Sequence, residues 1–205
     1  MIDESLESGQ NDVGAFGERD RAVLRVIGEE RLLGFTFEGL RRRLGAHSET
    51  LSRIIDRLER EQILTRTDGG YIVTERGREL STPLRVGAYD SGVTILKTVL
   101  PPVQDSRIVV SGLIGRWFGK LRWFGYSGSG GTTILKWVTE DGRVQVDALF
   151  EALTLTIRVR VADAGDMSAA IEAAHRLVGH ISGLYTHGHG RIGEYTPAGG
   201  SADEN

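Results

Sequence analysis

Residues 51–80 read LSRIIDRLEREQILTRTDGGYIVTERGREL, and two periodicities share this stretch. In its first part Leu51, Ile54, Ile55 and Leu58 recur at helical spacing. Glu49, Thr50, Ser52, Arg53, Asp56, Arg57 and Arg60 lie opposite, so the spacing predicts an amphipathic helix opening at Ser48. In its second part Ile63 to Arg66 and Tyr71 to Thr74 are short β-type runs around Thr67-Asp68-Gly69-Gly70, a hairpin turn signal. Working backwards, Phe37, Leu40 and Leu44 share one face of another helix, with Thr36 as its N-cap and Gly45 where a left-handed residue ends it. Gly45-Ala46-His47 then joins two helices tightly, as in a helix-turn-helix. Further back, Val23, Val26 and Ile27 mark an amphipathic helix over Arg19 to Glu30.

Three helices closed by a small hairpin describe a winged helix. The residues also carry a resemblance. LSRIIDRLEREQIL followed by GGYIVTERGREL is similar to the winged-helix transcription regulators of the MarR, ArsR and PadR kind, archaeal relatives included. In those families a helix of pattern T-x-S-R-x-x-x-x-L-E precedes a wing ending Y-x-L-T-x-x-G. Thr50, Ser52, Arg53, Leu58, Glu59, Tyr71, Thr74 and Gly77 match, over roughly the first third of the chain. Gln62 departs from the pattern, standing where a glycine usually ends the recognition helix. If that position needs a positive φ, a side chain there costs stability.

The resemblance implies a double-stranded DNA partner, with the helix over 48–61 in the major groove and the wing over 66–71 on the backbone. The chemistry fits. The exposed N-terminal half of such a helix meets base edges, and here it offers Ser48, Glu49, Thr50, Ser52 and Arg53, with Arg57 following. Arg53 has the fork that suits guanine O6 and N7. Arg41, Arg42 and Arg43 end the preceding helix and could clamp phosphates, and Arg66 lies beside the wing turn. The plainer alternative is a solvated face in which Glu38, Glu49, Asp56, Glu59 and Glu61 neutralise these arginines.

Composition narrows the function classes. The 205 residues are 40% hydrophobic and 26% charged, an ordinary globular balance. No apolar run approaches the length of a membrane span, and the acidic start MIDESLESGQNDVG is unlike a secretory signal. There is no cysteine, so disulfide scaffolds, thiolate zinc sites and cysteine nucleophiles are excluded, which fits a cytoplasmic location. The net charge of -3 excludes a wholly basic polyelectrolyte but not a local basic face. Of the 25 basic residues only Lys97, Lys120 and Lys136 are lysines. That bias supplies bidentate phosphate ligands, although codon composition alone would also produce it.

The expected organisation is a tail over 1–14, a winged helix over 15–81, a connector over 82–106, a second folded unit over 107–186 and a tail over 187–205. Leu84 to Leu100 has mixed periodicity, weakened by Gly87 and Gly92, and reads as a partly helical connector. Arg107 to Ile114 is ambiguous between strand and helix, and Trp117 to Tyr126 reads as a strand bent at Gly119. Thr132 to Thr139 and Arg143 to Phe150 flank the turn Glu140-Asp141-Gly142. Leu155, Ile157, Val159 and Val161 alternate with polar residues, as in a strand with one buried face. A helix opens at Asp166 with Met167, Ile171, Ala174, Val178, Ile181 and Leu184 on one side. The fold class is therefore α+β: a winged helix followed by a sheet with a helix laid across it, the second unit serving dimerisation, ligand sensing or both.

GRWFGKLRWFGY interleaves Trp117, Trp123 and three other aromatics with Arg116, Lys120 and Arg122, and Trp137 lies near. Trp117, Lys120, Arg122, Trp123 and Trp137 could form a ligand or partner surface or a base-stacking platform. Equally, they could be one buried sheet face backed by solvated charges. Residues 126–131, YSGSGG, lack the lysine and hydroxyl of a phosphate-binding loop and read as a flexible hairpin loop. His175 and His180 do not share a helix face, and His187 and His189 fall short of a four-ligand metal set. No acid–base pair or activated nucleophile stands out. The residues favour a homodimeric DNA-binding transcription regulator with no cofactor, no metal and no catalysis, open to a small-molecule effector. The alternatives are a protein-binding module and an architectural nucleic-acid binder that works through its β-rich half. An N-terminal fragment ending at Leu80 is expected to fold alone.

Overall fold

The computed structural model describes residues 16–81, 92–102 and 106–187. The expected tail over 1–14, the tail beyond His187 and the first part of the connector, 82–91, lie outside the described residues. The architecture is α+β, built on one antiparallel sheet of eight strands.

The first helix, α1 (Glu18–Glu29), buries Val23, Leu24, Val26 and Ile27. Asp20 Oδ2 accepts from the Gly17 backbone N–H at 3.0 Å, satisfying one orphan donor of the helix start. A four-residue strand, β1 (Leu32–Phe35), follows without a sequence signal of its own. In α2 (Phe37–Leu44), Thr36 caps as expected: its Oγ1 accepts from Gly39 N–H at 3.1 Å. Gly45 closes the helix at φ 60°. The third helix, α3 (Ser48–Arg60), buries Leu51, Ile54, Ile55 and Leu58. Past it, Gln62 does adopt positive φ, at 58°, while its N–H and that of Ile63 donate to Glu59 and Leu58 carbonyls. The hairpin forms from β2 (Leu64–Thr67) and β3 (Gly70–Val73), one residue displaced from the sequence reading, and α4 (Glu75–Ser81) follows.

Three details of the second half correct the sequence reading, and one settles a choice it left open. The end of the expected connector is a strand, β4 (Val93–Val99), paired to the last strand of the sheet. It lies at the sheet edge with both faces largely open, so no alternation of apolar residues betrays it. The ambiguous stretch is a helix, α5 (Ser106–Leu113), with Val109 and Leu113 buried one turn apart. Gly119 does not bend a strand. It sits at φ 59° in the tight turn between Phe118 and Leu121, and β5 (Leu121–Ser129) starts after it, leaving Trp117 outside. Residues Ser127 to Ser129 of the expected flexible loop are paired strand. The remaining elements are β6 (Thr132–Thr139), β7 (Val144–Glu151), β8 (Thr154–Val161) and α6 (Met167–His187), the last entered through a short 3-10 turn capped by Asp163.

The strand order is β2-β3-β1-β5-β6-β7-β8-β4. Strand β1 joins the halves. It pairs with β3 on one side, Phe35 opposite Tyr71, and with β5 on the other, Phe35 opposite Gly125. Helix α2 presses onto this junction so closely that a Cβ at Gly39 would stand 2.5 Å from Phe124 Cα. Because side chains alternate across a sheet, β5 and β6 serve two cores. One face carries Trp123, Leu135, Trp137, Val146 and Ile157 under α5 and α6. The other contributes Phe124 and Val138 to the core of α1, α2 and α3.

Trp123 and Trp137 are both buried in the first core, meeting edge to face at 5.4 Å, and Trp137 Nε1 donates to the Arg116 carbonyl at 2.8 Å. Neither is available to a ligand or to a nucleic acid. Trp123→Ala is expected to cost about 3 kcal/mol, the low end for a buried aromatic because this ring sits nearer the rim. An unchanged thermal melt of that variant would count against the core assignment.

Candidate nucleic-acid interface

The face of α3 opposite its apolar row points away from the protein. Ser48, Glu49, Ser52 and Arg53 are exposed, and Thr50 is half-buried. Arg53 is 75% exposed, and its described partner is Glu49, one helical turn back, at 2.5 Å. Such an exposed pair holds together weakly and opens readily to a competing acceptor. These five residues lie outside the buried row of the helix, as the sequence predicts.

The other arginines expected at this face are placed differently. Arg42 is only 8% exposed: it donates from Nη2 to Glu140 Oε1 at 2.8 Å, across to the β6–β7 turn, and lies 3.5 Å from Glu38. Arg43 donates from Nε to the buried Glu30 at 3.2 Å. Arg57 donates to the buried Asp20 at 2.6 Å and ties α3 to α1. Each of these three guanidiniums is tied to a carboxylate of another element, so each also holds the fold together. Arg41 stays half-exposed beside Glu38. Arg66 is exposed, forked onto Glu59 at 3.0 and 3.3 Å, and lies 5.3 Å above the Tyr71 ring. Of the expected phosphate ligands, Arg66 is 61% exposed, Arg41 and Arg43 are 31% and 32% exposed, and the Arg42 side chain is buried.

The aromatic set divides likewise. Trp117 is 64% exposed, with the Arg122 guanidinium 4.6 Å over its ring. Arg122 Nε also donates to Glu140 Oε2 at 2.9 Å, so Glu140 joins Arg42 to Arg122. Those hydrogen bonds, the Arg42 one first, hold the Glu140 carboxyl below its ordinary range. Lys120 is exposed on the same turn.

A group of charges that sequence reading does not single out lies between the halves. Glu30, at the end of α1, is 1% exposed. Its Oε2 accepts from Arg160 Nη2 at 2.5 Å and Gln145 Nε2 at 3.1 Å and forms an ion pair with Lys136 Nζ at 3.1 Å, and its Oε1 accepts from Arg43. Asp147 closes the group, taking Lys136 and Arg160 each at 3.2 Å and Gln145 at 2.8 Å. Burial alone would push the Glu30 carboxyl up. The Lys136, Arg160 and Arg43 cations outweigh it and hold the carboxyl at about 2. The signal was present but dispersed: Lys136, Asp147, Gln145 and Arg160 become neighbours only through the β6–β7–β8 register, in which Lys136 faces Asp147 and Gln145 faces Arg160.

Among the described residues, no helix is long and apolar enough to cross a membrane. Side chains of His187 and His189 lie outside the described residues. Comparison with known protein families, with curated proteins and with solved structures finds no match to this chain.

Proposed function

We propose that the N-terminal half is a winged helix and that the chain is a cytoplasmic, sequence-specific DNA-binding transcription regulator without catalytic activity. Helix α3 (Ser48–Arg60) enters the major groove, and the hairpin at 66–71 rests on the backbone. The observation that carries this reading is the strip on α3. Its buried row anchors the helix, and Ser48, Glu49, Ser52 and Arg53 are left facing outward with Thr50 half-buried beside them. Ser, Thr and Arg are side chains that bond base edges. Arg41 and Arg66 supply the phosphate contacts, since Arg42, Arg43 and Arg57 are engaged within the fold.

The regulator acts as a homodimer. Residues 15–80 hold 13 arginines against 12 acidic residues. With so little excess charge one copy binds weakly at physiological salt, and linking two raises the effective concentration of the second contact. Strand β4 ends the sheet, with Val99 exposed on it, and offers the edge for such pairing.

Selection of genomic fragments by the intact protein tests the reading. A shared motif among the bound fragments supports it, and uniform capture of all sequences supports an architectural binder instead. The same near-neutral pairing of arginines with carboxylates favours a second reading, in which the winged helix contacts protein, and capture of no DNA would leave that one.

On a selected fragment, Arg53→Ala is expected to lose about 1–3 kcal/mol and to relax the preference at one base position. Arg41→Ala is expected to weaken all sequences alike and to reduce the salt slope by about 1. Competition binding on both variants checks this, and an Arg53→Ala protein that binds the fragment like wild type removes Arg53 from base readout.

A further inference from the structure

A cleft of about 370 Å³ opens where the end of α2 meets the ends of β7 and β8. Its lining includes Arg43, Arg143 and Arg160 and the aliphatic side chains of Val93, Val161 and Met167. A carboxylate behind each guanidinium holds it in place. Arg43 Nε donates to Glu30 at 3.2 Å, Arg143 Nε to Asp166 at 3.0 Å, and Arg160 Nη2 to Glu30 and Asp147 at 2.5 and 3.2 Å. A guanidinium carries five donors. Arg43 and Arg143 both engage through Nε, which leaves terminal N–H donors for an anion, and that edge of a guanidinium suits the bidentate geometry of a carboxylate.

Gln145 lines the same cleft and adds a second requirement. Its Nε2 donates to Glu30 and Asp147, which fixes which way the amide points. Its Oε1 is buried without a hydrogen-bond partner among the described residues. An acceptor left in that state is costly and favours a ligand that brings a donor.

The geometry points to a binding site here for a small aliphatic carboxylate that carries an O–H or N–H donor beside the carboxyl group. The carboxylate sits among Arg43, Arg143 and Arg160, the donor faces Gln145, and the alkyl body lies on Val93, Val161 and Met167. Arg43 belongs to the N-terminal half and Arg143 and Arg160 to the sheet, so the bound anion bridges the two. The site does not depend on the DNA reading.

Calorimetric titration of the intact protein with hydroxyisocaproate, isocaproate and isoamyl alcohol tests this without DNA. The hydroxy acid is expected to bind in the submillimolar range, isocaproate more weakly and the alcohol not at all. Arg143 is 53% exposed and Val93 51% exposed, so Arg143→Ser and Val93→Glu leave the fold intact. Each is expected to weaken hydroxyisocaproate at least about tenfold. Absence of hydroxyisocaproate binding, equal binding of the alcohol, or undiminished binding by both variants overturns the proposal. A negative titration leaves DNA binding untouched, and failure to bind DNA leaves this site standing.

Discussion

A fragment ending at Ser81 is expected to lose cooperative folding, even though it contains every helix and the whole hairpin of the N-terminal half. Three contacts made by the rest of the chain explain why. Strand β1 would lose β5 and expose an unpaired edge. The core of α1, α2 and α3 would lose Phe124 and Val138, both fully buried in it, and removing a buried Phe side chain alone typically costs about 3–5 kcal/mol. Glu30 would keep Arg43 but lose Lys136, Gln145 and Arg160. The total approaches the whole stability of a small domain, roughly 5–15 kcal/mol. Circular dichroism through a thermal ramp checks the point. A sharp transition in the fragment, close to that of the intact protein, would show that the N-terminal half stands alone, as the sequence by itself suggests.

Glu30→Ala in the intact chain is expected to destabilise it by about 3–5 kcal/mol, because it leaves the buried Lys136 and the partly buried Arg160 beside Asp147 with one carboxylate fewer between them. The pH dependence has a definite sign. The folded carboxyl is held at about 2, below its ordinary 4.5. The unfolded chain therefore takes up the proton first as pH falls, and the stabilisation from this group, fully present above 4.5, drains away between 4.5 and about 2. Denaturant unfolding of wild type and Glu30→Gln across that interval isolates the effect from other carboxylates. The gap between the two proteins should narrow as the solution is acidified. A gap that stays constant, or an alanine variant as stable as wild type, contradicts the account of the ion cluster.

Much of the fold was legible in the residues, and the parts that were not share a physical reason. Helix α3 is readable because Leu51, Ile54, Ile55 and Leu58 bury one face only, and β8 because Leu155, Ile157 and Val159 do the same at a period of two. Strand β1 has four residues, three of them buried, and so no alternation to detect. Strand β4 lies at the open edge and has little buried face to report. The continuity of the sheet through β1 and β5 is a pairing between residues about 90 positions apart, which local pattern cannot encode. The candidate interface divides along the same line. The outward strip on α3 follows from helical period alone. Whether an arginine is spent within the fold depends on distant partners: Arg42 on Glu140, Arg57 on Asp20, Arg43 on a glutamate buried against the sheet. The local ion pairs foreseen for Glu38, Glu49, Asp56 and Glu59 form at Arg41, Arg53 and Arg66, because those need only the spacing of a helix or of an adjacent hairpin.

The central claim is that α3 reads a DNA sequence. Its most direct test is competition binding of the intact protein to a selected fragment against bulk DNA, at fixed physiological salt, with wild type and Arg53→Ala side by side. The account predicts at least about a thousandfold preference for the fragment by wild type, reduced by roughly tenfold or more in the variant. Equal affinity of wild type for the fragment and for bulk DNA, or a preference that Arg53→Ala leaves unchanged, would contradict it.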